Sequence, residues 1–353
     1  MQTQVRLFER IENEGYEQVV FCHDRKVGLK AIVSIHDSTL GPGTGGCRLY
    51  PYTDETAAVE DVLRLSKGMT YKAAISGLKL GGAKAVIIAD PKTQKTPELL
   101  HRFGEFVESL GGRYITAKDV GITGADLMQV RERTRHILGI EGLPGSSGDP
   151  SPLTAWGVYN GMKAAARHVW GDASLKGKRI AVQGLGYVSY SLVKYLVEEG
   201  AQVVGADVDA AARSQREFGI EIVKPEEILA QACDILSPNA LGSIINATTI
   251  PAIKAKIVAG AANNQLATDA DGFELMRRGI VYAPDYAINA GGLINIYHER
   301  EGYDAARAYD HVAGIYRTIE EVLARADKEN MPPHRIADRI AEERGCRSAT
   351  TSC

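Results

Sequence analysis

Cysteine is scarce in this chain: five in 353 residues, at Cys22, Cys47, Cys233, Cys346 and Cys353. Their number is odd and their spacings are wide. No Cys-x-x-Cys pair occurs, so neither a disulfide framework nor a zinc site is indicated, no metal is expected, and a reducing, cytoplasmic setting fits. Neither sign of charge dominates. The 41 basic and 44 acidic residues leave a net charge of -3, and no basic patch or tail suggests a nucleic-acid partner. No apolar run approaches the roughly 18 residues of a membrane span. Met1 to Arg10 carries Arg6, Glu9 and Arg10 without an apolar stretch, so no secretory signal is read there. Internal repeats and low-complexity tracts are also missing. What remains is an ordinary globular composition, 44% apolar and 24% charged, in a chain long enough for two domains.

Strands and helices alternate throughout. Leu29 to His36 reads as a strand with one buried face, and Leu40 to Gly46 as a glycine-rich loop. Thr53 is placed to cap a helix opening at Asp54 and Glu55. Ala85 to Ala89 reads as a buried strand, Pro97 to Leu110 as a helix, Tyr114 to Thr116 as a strand ending at Ala117, Lys118 and Asp119, and Thr123 onward as a helix. Leu143-Pro144-Gly145-Ser146-Ser147-Gly148-Asp149-Pro150 is the best linker, followed by a helix capped by Ser151 that reaches about Trp170. Beyond it lies a βαβ rhythm, with strands at 179–183, 201–207, 234–236, 257–259 and 280–282. A long helix over about 304–328 and a shorter one after Pro333 end the chain. The alternation predicts an α/β protein with a parallel sheet wrapped by helices.

Gly184-Leu185-Gly186-Tyr187-Val188-Ser189 follows a strand and opens a helix. Gly184 allows the tight turn, and Gly186 lets the backbone and the helix N-terminus approach a pyrophosphate. Serine at the third place is small enough for the helix to pack on the strand. Asp207 ends the next strand, where a carboxylate would take the ribose hydroxyls and repel the extra phosphate of NADP, so NAD is the expected cofactor. Arg213 reads as a solvated charge.

Lys72 and Lys84 flank a glycine turn amid apolar and small residues. Burial there is expected to lower a lysine pKa and suit it to acid–base work on nitrogen and carbonyl groups. Either alone would read as a snorkelling surface charge. With Asp119 they supply what amino-acid oxidation needs beside a nicotinamide: a cation for the carboxylate and a lysine–carboxylate pair to move water and protons.

Met69-Thr70-Tyr71-Lys72-Ala73-Ala74, Leu80-Gly81-Gly82-Ala83-Lys84, Asp119-Val120-Gly121, Gly148 to Pro152, Ala259 to Leu266, and Ala283 to Tyr286 through Asn289 to Gly292 together resemble the leucine/phenylalanine/valine dehydrogenases of the glutamate dehydrogenase superfamily. The resemblance runs from about residue 15 to about 330. It implies two domains separated by an active-site cleft: a substrate and oligomerisation domain with a mostly parallel sheet over 1–136, completed by C-terminal helices 329–353, and an NAD-binding Rossmann-like domain over 137–328. It implies that Lys72 binds the substrate carboxylate, that Lys84 activates water, and that Asp119 shuttles protons. Gly45 and Gly46 would offer backbone to the substrate. Asn263 would lie near nicotinamide and substrate, Asn289 near the substrate, and Thr154 and Ala261 on the cofactor side with Gly184, Gly186, Tyr187, Val188 and Asp207. The implied reaction is reversible oxidative deamination of an L-amino acid to a 2-oxo acid and ammonia, in a homo-oligomer between dimer and octamer. Five positions depart from the family pattern: Ala83 for a third glycine, which raises the question of a small shift in Lys84; Cys47 for threonine, read as a small buried residue; Tyr187 in the phosphate loop; Asn239 for cysteine; and Lys118 before Asp119, read as pointing to solvent.

The resemblance lines the side-chain pocket with Leu40, Gly41, Ala117, Leu293 and Ile296. None carries a charge, which disfavours glutamate and suits a branched aliphatic side chain. An aromatic substrate, phenylalanine or tryptophan, is the alternative. An inactive NAD-binding sensor is the reading from another class, and a purely structural protein ranks below it.

Overall fold

A computed structural model describes residues 7–345. The chain divides into two compact units: Met1–Gly148 with Glu299–Tyr303 and Ala341–Cys353, and Asp149–His298 with Asp304–Ile340. The main crossing falls inside the linker stretch 143–150, downstream of the expected 136/137. The C-terminal return to the first unit begins at 341 rather than 329, because the preceding helices bury their apolar faces in the second unit.

The first unit contains α1 (Leu7–Glu14), β1 (Gln18–Asp24), β2 (Leu29–Asp37), β3 (Gly43–Tyr50), α2 (Glu55–Ile75), β4 (Gly81–Ile88), α3 (Pro97–Ser109), β5 (Tyr114–Lys118) and α4 (Gly124–Arg131). Its sheet has the order β1-β2-β4-β3-β5. Pairings are antiparallel for β1–β2 and β2–β4 and parallel for β3–β4 and β3–β5. The sheet is therefore mixed, parallel only around β3. Side chains alternate across it. Ala31, Val33, Ile35, Cys47, Leu49, Ala85 and Ile87 enter a core with Leu99, Phe103 and Val107 of α3 and Leu127 and Val130 of α4. Ile32 and Val86 face Ala58, Val59, Val62 and Leu63 of α2 on the other side. The buried positions of α2 recur at helical spacing through Ser66, Thr70 and Ala73. Its cap is Asp54, whose carboxylate accepts from the Ala57 N–H at 2.8 Å, one residue after the expected Thr53.

The glycine-rich segment is a strand, not a loop. Gly43 to Gly46 open β3, squeezed between neighbouring backbones. A Cβ on Gly45 would collide with the Ala83 carbonyl, and one on Gly46 would lie 2.9 Å from the Asp119 Cβ. Glycine is there for close approach rather than for turning. The same logic admits Ala83: its methyl occupies space that a Gly43 Cβ, 2.8 Å away, would claim.

The second unit contains α5 (Ser151–Trp170), β6 (Arg179–Gln183), α6 (Tyr187–Glu199), β7 (Gln202–Ala206), α7 (Ala211–Phe218), β8 (Glu221–Ile222), β9 (Ile235–Pro238), β10 (Ile257–Val258), α8 (Asp269–Arg277), β11 (Val281–Tyr282), α9 (Asp285–Ile288), α10 (Gly291–His298), α11 (Ala305–Ala313), α12 (Ile315–Glu329) and α13 (Pro333–Glu343) up to Ile340, the last three residues of α13 belonging to the first unit. The expected single helix over 304–328 is broken at Gly314. Ser151 does not cap α5; Pro150 occupies that place with no side-chain bond. The sheet order is β11-β10-β9-β6-β7-β8, and its pairings are all parallel. Strand order reverses between β6 and β9, the place where doubly wound sheets bind nucleotides.

The two glycine environments predict opposite effects. Gly45→Ala should cost about 1–3 kcal/mol by overpacking. Gly68→Ala, on an exposed turn of α2 with nothing within 4 Å of the added carbon, should gain about 0.5–1 kcal/mol. Thermal unfolding followed by circular dichroism checks both signs.

Candidate active site

Lys84 sits in the middle of β4 and is 8% exposed. Its parity with Val86 turns it to the α2 side of the sheet. Asp119 follows the last residue of β5, and its Oδ2 forms an ion pair with the Lys84 ammonium. Asp119 Oδ1 accepts from the Val120 N–H at 2.7 Å and lies 3.8 Å from Arg48 Nη2. Burial alone would raise the Asp119 carboxyl. The Lys84 ammonium, the Arg48 guanidinium and the bonds from Lys84 and Val120 outweigh it and hold the group below the usual range. The lysine's surroundings are thus less apolar than the sequence suggests, for its counter-ion arrives from β5.

Lys72 lies in the last turn of α2, half-buried. That turn is seated tightly on β4, since a Cβ on Gly82 would collide with Thr70. Gly46 makes room for the Asp119 side chain and pairs with Ala117, which is buried on β5. Leu40, half-buried, follows β2. Cys47, 1% exposed, points into the opposite core, and burial pushes its thiol up. Lys118 is half-exposed and 3.5 Å from Glu141.

In the second unit the expected cofactor residues, except Thr154 in the first turn of α5, lie at the carboxyl ends of parallel strands. Gly184 follows β6 with φ +85°, donates its N–H to Ala206 at 2.8 Å, and abuts Ala240 after β9, whose Cβ would be 2.8 Å from one added to the glycine. Gly186 caps α6 without a side chain and has open space about it. The first-turn N–H groups of α6 therefore have no side-chain cap, which suits a pyrophosphate. Tyr187 is 76% exposed and does not fill the loop, Val188 is half-buried, and Ser189 is buried against the strand. Asp207 Oδ2 accepts from the Leu185 N–H at 2.6 Å, and Oδ1 from the N–H groups of Asp209 and Ala210 at 2.8 Å. Burial would raise this carboxyl, but bonds from Ala210, Leu185, Asp209 and Val208 hold it low. Arg213 stacks on the Tyr190 ring, 3.7 Å from its centroid.

The loop after β10 is held from several sides. Asn239 Oδ1 accepts from the Ala261 N–H at 2.6 Å, and Asn289 Nδ2 donates to the Ala261 carbonyl at 3.0 Å and to Asn263 Oδ1 at 2.8 Å. Gln265 Nε2 donates to the carbonyls of Gly260 and Ala262 at 2.8 and 3.0 Å. Asn289 Oδ1 is buried without a hydrogen-bond partner among the described residues. Leu293 and Ile296, three residues apart, share a face of α10, and Gly291 and Gly292 at its start press against Leu153 and Thr154. Sequence reasoning gave no role to Arg48 or Gln265 and treated Asn239 only as a departure. Asn239 replaces a thiol with an amide that can hold the Ala261 peptide.

These features are those that a nicotinamide-dependent oxidoreductase with a lysine–aspartate pair would need. Residues 16–136 match the family described as Glu/Leu/Phe/Val dehydrogenase, dimerisation domain, and residues 206–310 match the one described as Glutamate/Leucine/Phenylalanine/Valine dehydrogenase. The chain is similar to the leucine dehydrogenase of Bacillus subtilis (strain 168), at 51% identity over 96% of this chain and 94% of that one. It is similar to the valine dehydrogenase of Streptomyces albus, at 47% identity over 94% and 92%. The crystal structure of L-tryptophan dehydrogenase from Nostoc punctiforme superposes with a TM-score of 0.84 at 44% identity, over 96% of this chain and 98% of that one. The chain belongs to the glutamate/leucine/phenylalanine/valine dehydrogenase family and is an amino acid dehydrogenase.

The Lys84–Asp119 pair predicts an acid-dependent stability. Because the folded carboxyl is held low, its contribution is complete above the unfolded value, about 3.9, and is lost as pH falls through the folded value. The stability gap between the parent protein and Asp119→Asn should therefore narrow as pH falls below about 4. Denaturant titrations across pH measure it.

Proposed function

We propose that the protein catalyses the reversible NAD-dependent oxidative deamination of a branched aliphatic L-amino acid, leucine-like, to the 2-oxo acid and ammonia. The observation that carries this is the buried ion pair of Lys84 and Asp119 within an amino acid dehydrogenase chain. A bound NAD would supply the acceptor for the substrate's α-hydride. Gly184, Gly186, Tyr187, Val188 and Asp207 would hold it, with Thr154, Ala261 and Asn263 on the nicotinamide side. Lys72 pairs with the substrate carboxylate, and the backbone of Gly45 and Gly46 adds contacts to it. Asp119, ionised, accepts a proton from the substrate ammonium so that the nitrogen lone pair can assist hydride loss. Lys84 holds the water that attacks the resulting imine and stabilises the carbinolamine. The water loses one proton to solvent as its oxygen bonds to carbon; Asp119 then returns its proton to nitrogen, the C–N bond breaks as the carbinolamine hydroxyl loses its proton to solvent and becomes the carbonyl, and ammonia leaves.

Leu40, Ala117, Leu293 and Ile296 would meet the substrate side chain, and Asn289 would lie beside the substrate. None of the four lining residues offers a cation to a second carboxylate. The Asp207 carboxylate, and Arg213 turned onto Tyr190, favour NAD over NADP. The scattered cysteines favour the cytoplasm, and the matched dimerisation domain favours a homo-oligomer between dimer and octamer. Among the described residues no helix is long and apolar enough to cross a membrane.

A panel of leucine, isoleucine, valine, phenylalanine, tryptophan and glutamate with NAD and NADP tests the proposal. Leucine should give the highest kcat/KM, with isoleucine and valine within about 10–200-fold, and NAD should outperform NADP. A higher kcat/KM with phenylalanine or tryptophan would assign an aromatic substrate instead. Tight NAD binding without turnover of any of them would leave the sensor.

A further inference from the structure

Arg48 stands on β3 next to Cys47 but points to the other side of the sheet. Its Nη1 is 2.7 Å from Asp61 Oδ2 on α2, and its Nη2 is 3.8 Å from Asp119 Oδ1. Asp61 is itself fixed. Tyr52 donates its hydroxyl to the same Oδ2 at 2.7 Å, and Arg64 reaches Oδ1 at 3.1 Å. The Arg48 and Asp61 side chains are mostly buried, at 22% and 14% exposure. A guanidinium anchored at one end by a second carboxylate cannot swing away, so it presents a fixed positive edge to the Asp119 oxygen that Lys84 does not hold. That leaves Asp119 with one oxygen for Lys84 and the other between Val120 N–H and Arg48.

We propose that Arg48, braced by Asp61 and Tyr52, is a positioning residue for the reaction: it orients the Asp119 carboxylate toward Lys84 and keeps it a proton acceptor. This rests on Asp119 being the proton carrier. Other groups also act on Asp119. Lys84 reaches it from β4, Cys47 adjoins it on β3, Tyr114 is buried on β5, and Tyr52 follows β3; the last three gain no charge at neutral pH that could substitute for Arg48. With the guanidinium removed, burial would push the Asp119 carboxyl upward, and only Lys84 and the Val120 N–H would oppose it.

The test compares kcat and KM against pH for the parent protein, Arg48→Met, Arg48→Lys, Asp61→Asn and Asp119→Asn, with leucine and NAD and with folding checked by circular dichroism. Arg48→Met should lower kcat at least 10-fold while changing the leucine KM little, and should move the acid limb of the kcat profile to higher pH. Arg48→Lys should recover part of both effects. Asp61→Asn, which loosens the brace, should move the limb in the same direction by less, and it decides the matter alone if Arg48→Met does not fold. An acid limb unmoved in every folded Arg48 or Asp61 variant, or a uniform loss with no pH shift, overturns the proposal. If Asp119→Asn keeps parental turnover, the assignment of Asp119 fails instead. If Asp119→Asn is inactive while Arg48→Met matches the parent, only the role of Arg48 fails.

Discussion

A lysine ammonium buried in the middle of a sheet must have a counter-charge, and this constraint organises the first unit. An isolated charge in such a place would cost several kcal/mol. Asp119 supplies the partner, but only because β5 ends one residue before it and because Gly46 has no side chain to block its approach. Gly46 on β3 is the steric counterpart of that electrostatic requirement.

The second unit meets a different demand with the same economy. Several of the loops at the ends of its parallel strands are held by side chains that satisfy backbone groups. Asp207 fixes the loop after β6 through Leu185, Asn239 and Asn289 grip the Ala261 peptide from two sides, and Gln265 spans Gly260 and Ala262. Loops held this way stay put without filling the space above them, which is what a site for a large, polar cofactor needs.

Much of this was legible in the sequence. The βαβ rhythm, the dinucleotide turn and Asp207 were readable from local chemistry, and Lys84 with Asp119 from their residue types. The misreadings share a cause. Gly43 to Gly46 look like a loop because glycine's usual meaning is conformational, whereas here it permits close strand packing. Thr53 and Asp54 are both good caps, and only the backbone path selects Asp54. Gly314 breaks a helix that periodicity alone carries through. Arg48 and Asp61 gave no signal at all, since a charged pair linking a strand to a helix is indistinguishable in sequence from two surface residues. The structure's correction to Asn239 is of the same kind: its value lies in a hydrogen bond to residue 261.

The central claim is that Lys84 holds a buried Asp119 in the ionised state. Carbon-13 NMR titration of the Asp119 carboxyl, in the parent protein and in Lys84→Met, measures this directly. A parental value below the ordinary aspartate range of about 3.9 and a marked rise in Lys84→Met are expected. A parental carboxyl that titrates at or above the ordinary value, or one that ignores the loss of Lys84, would contradict it.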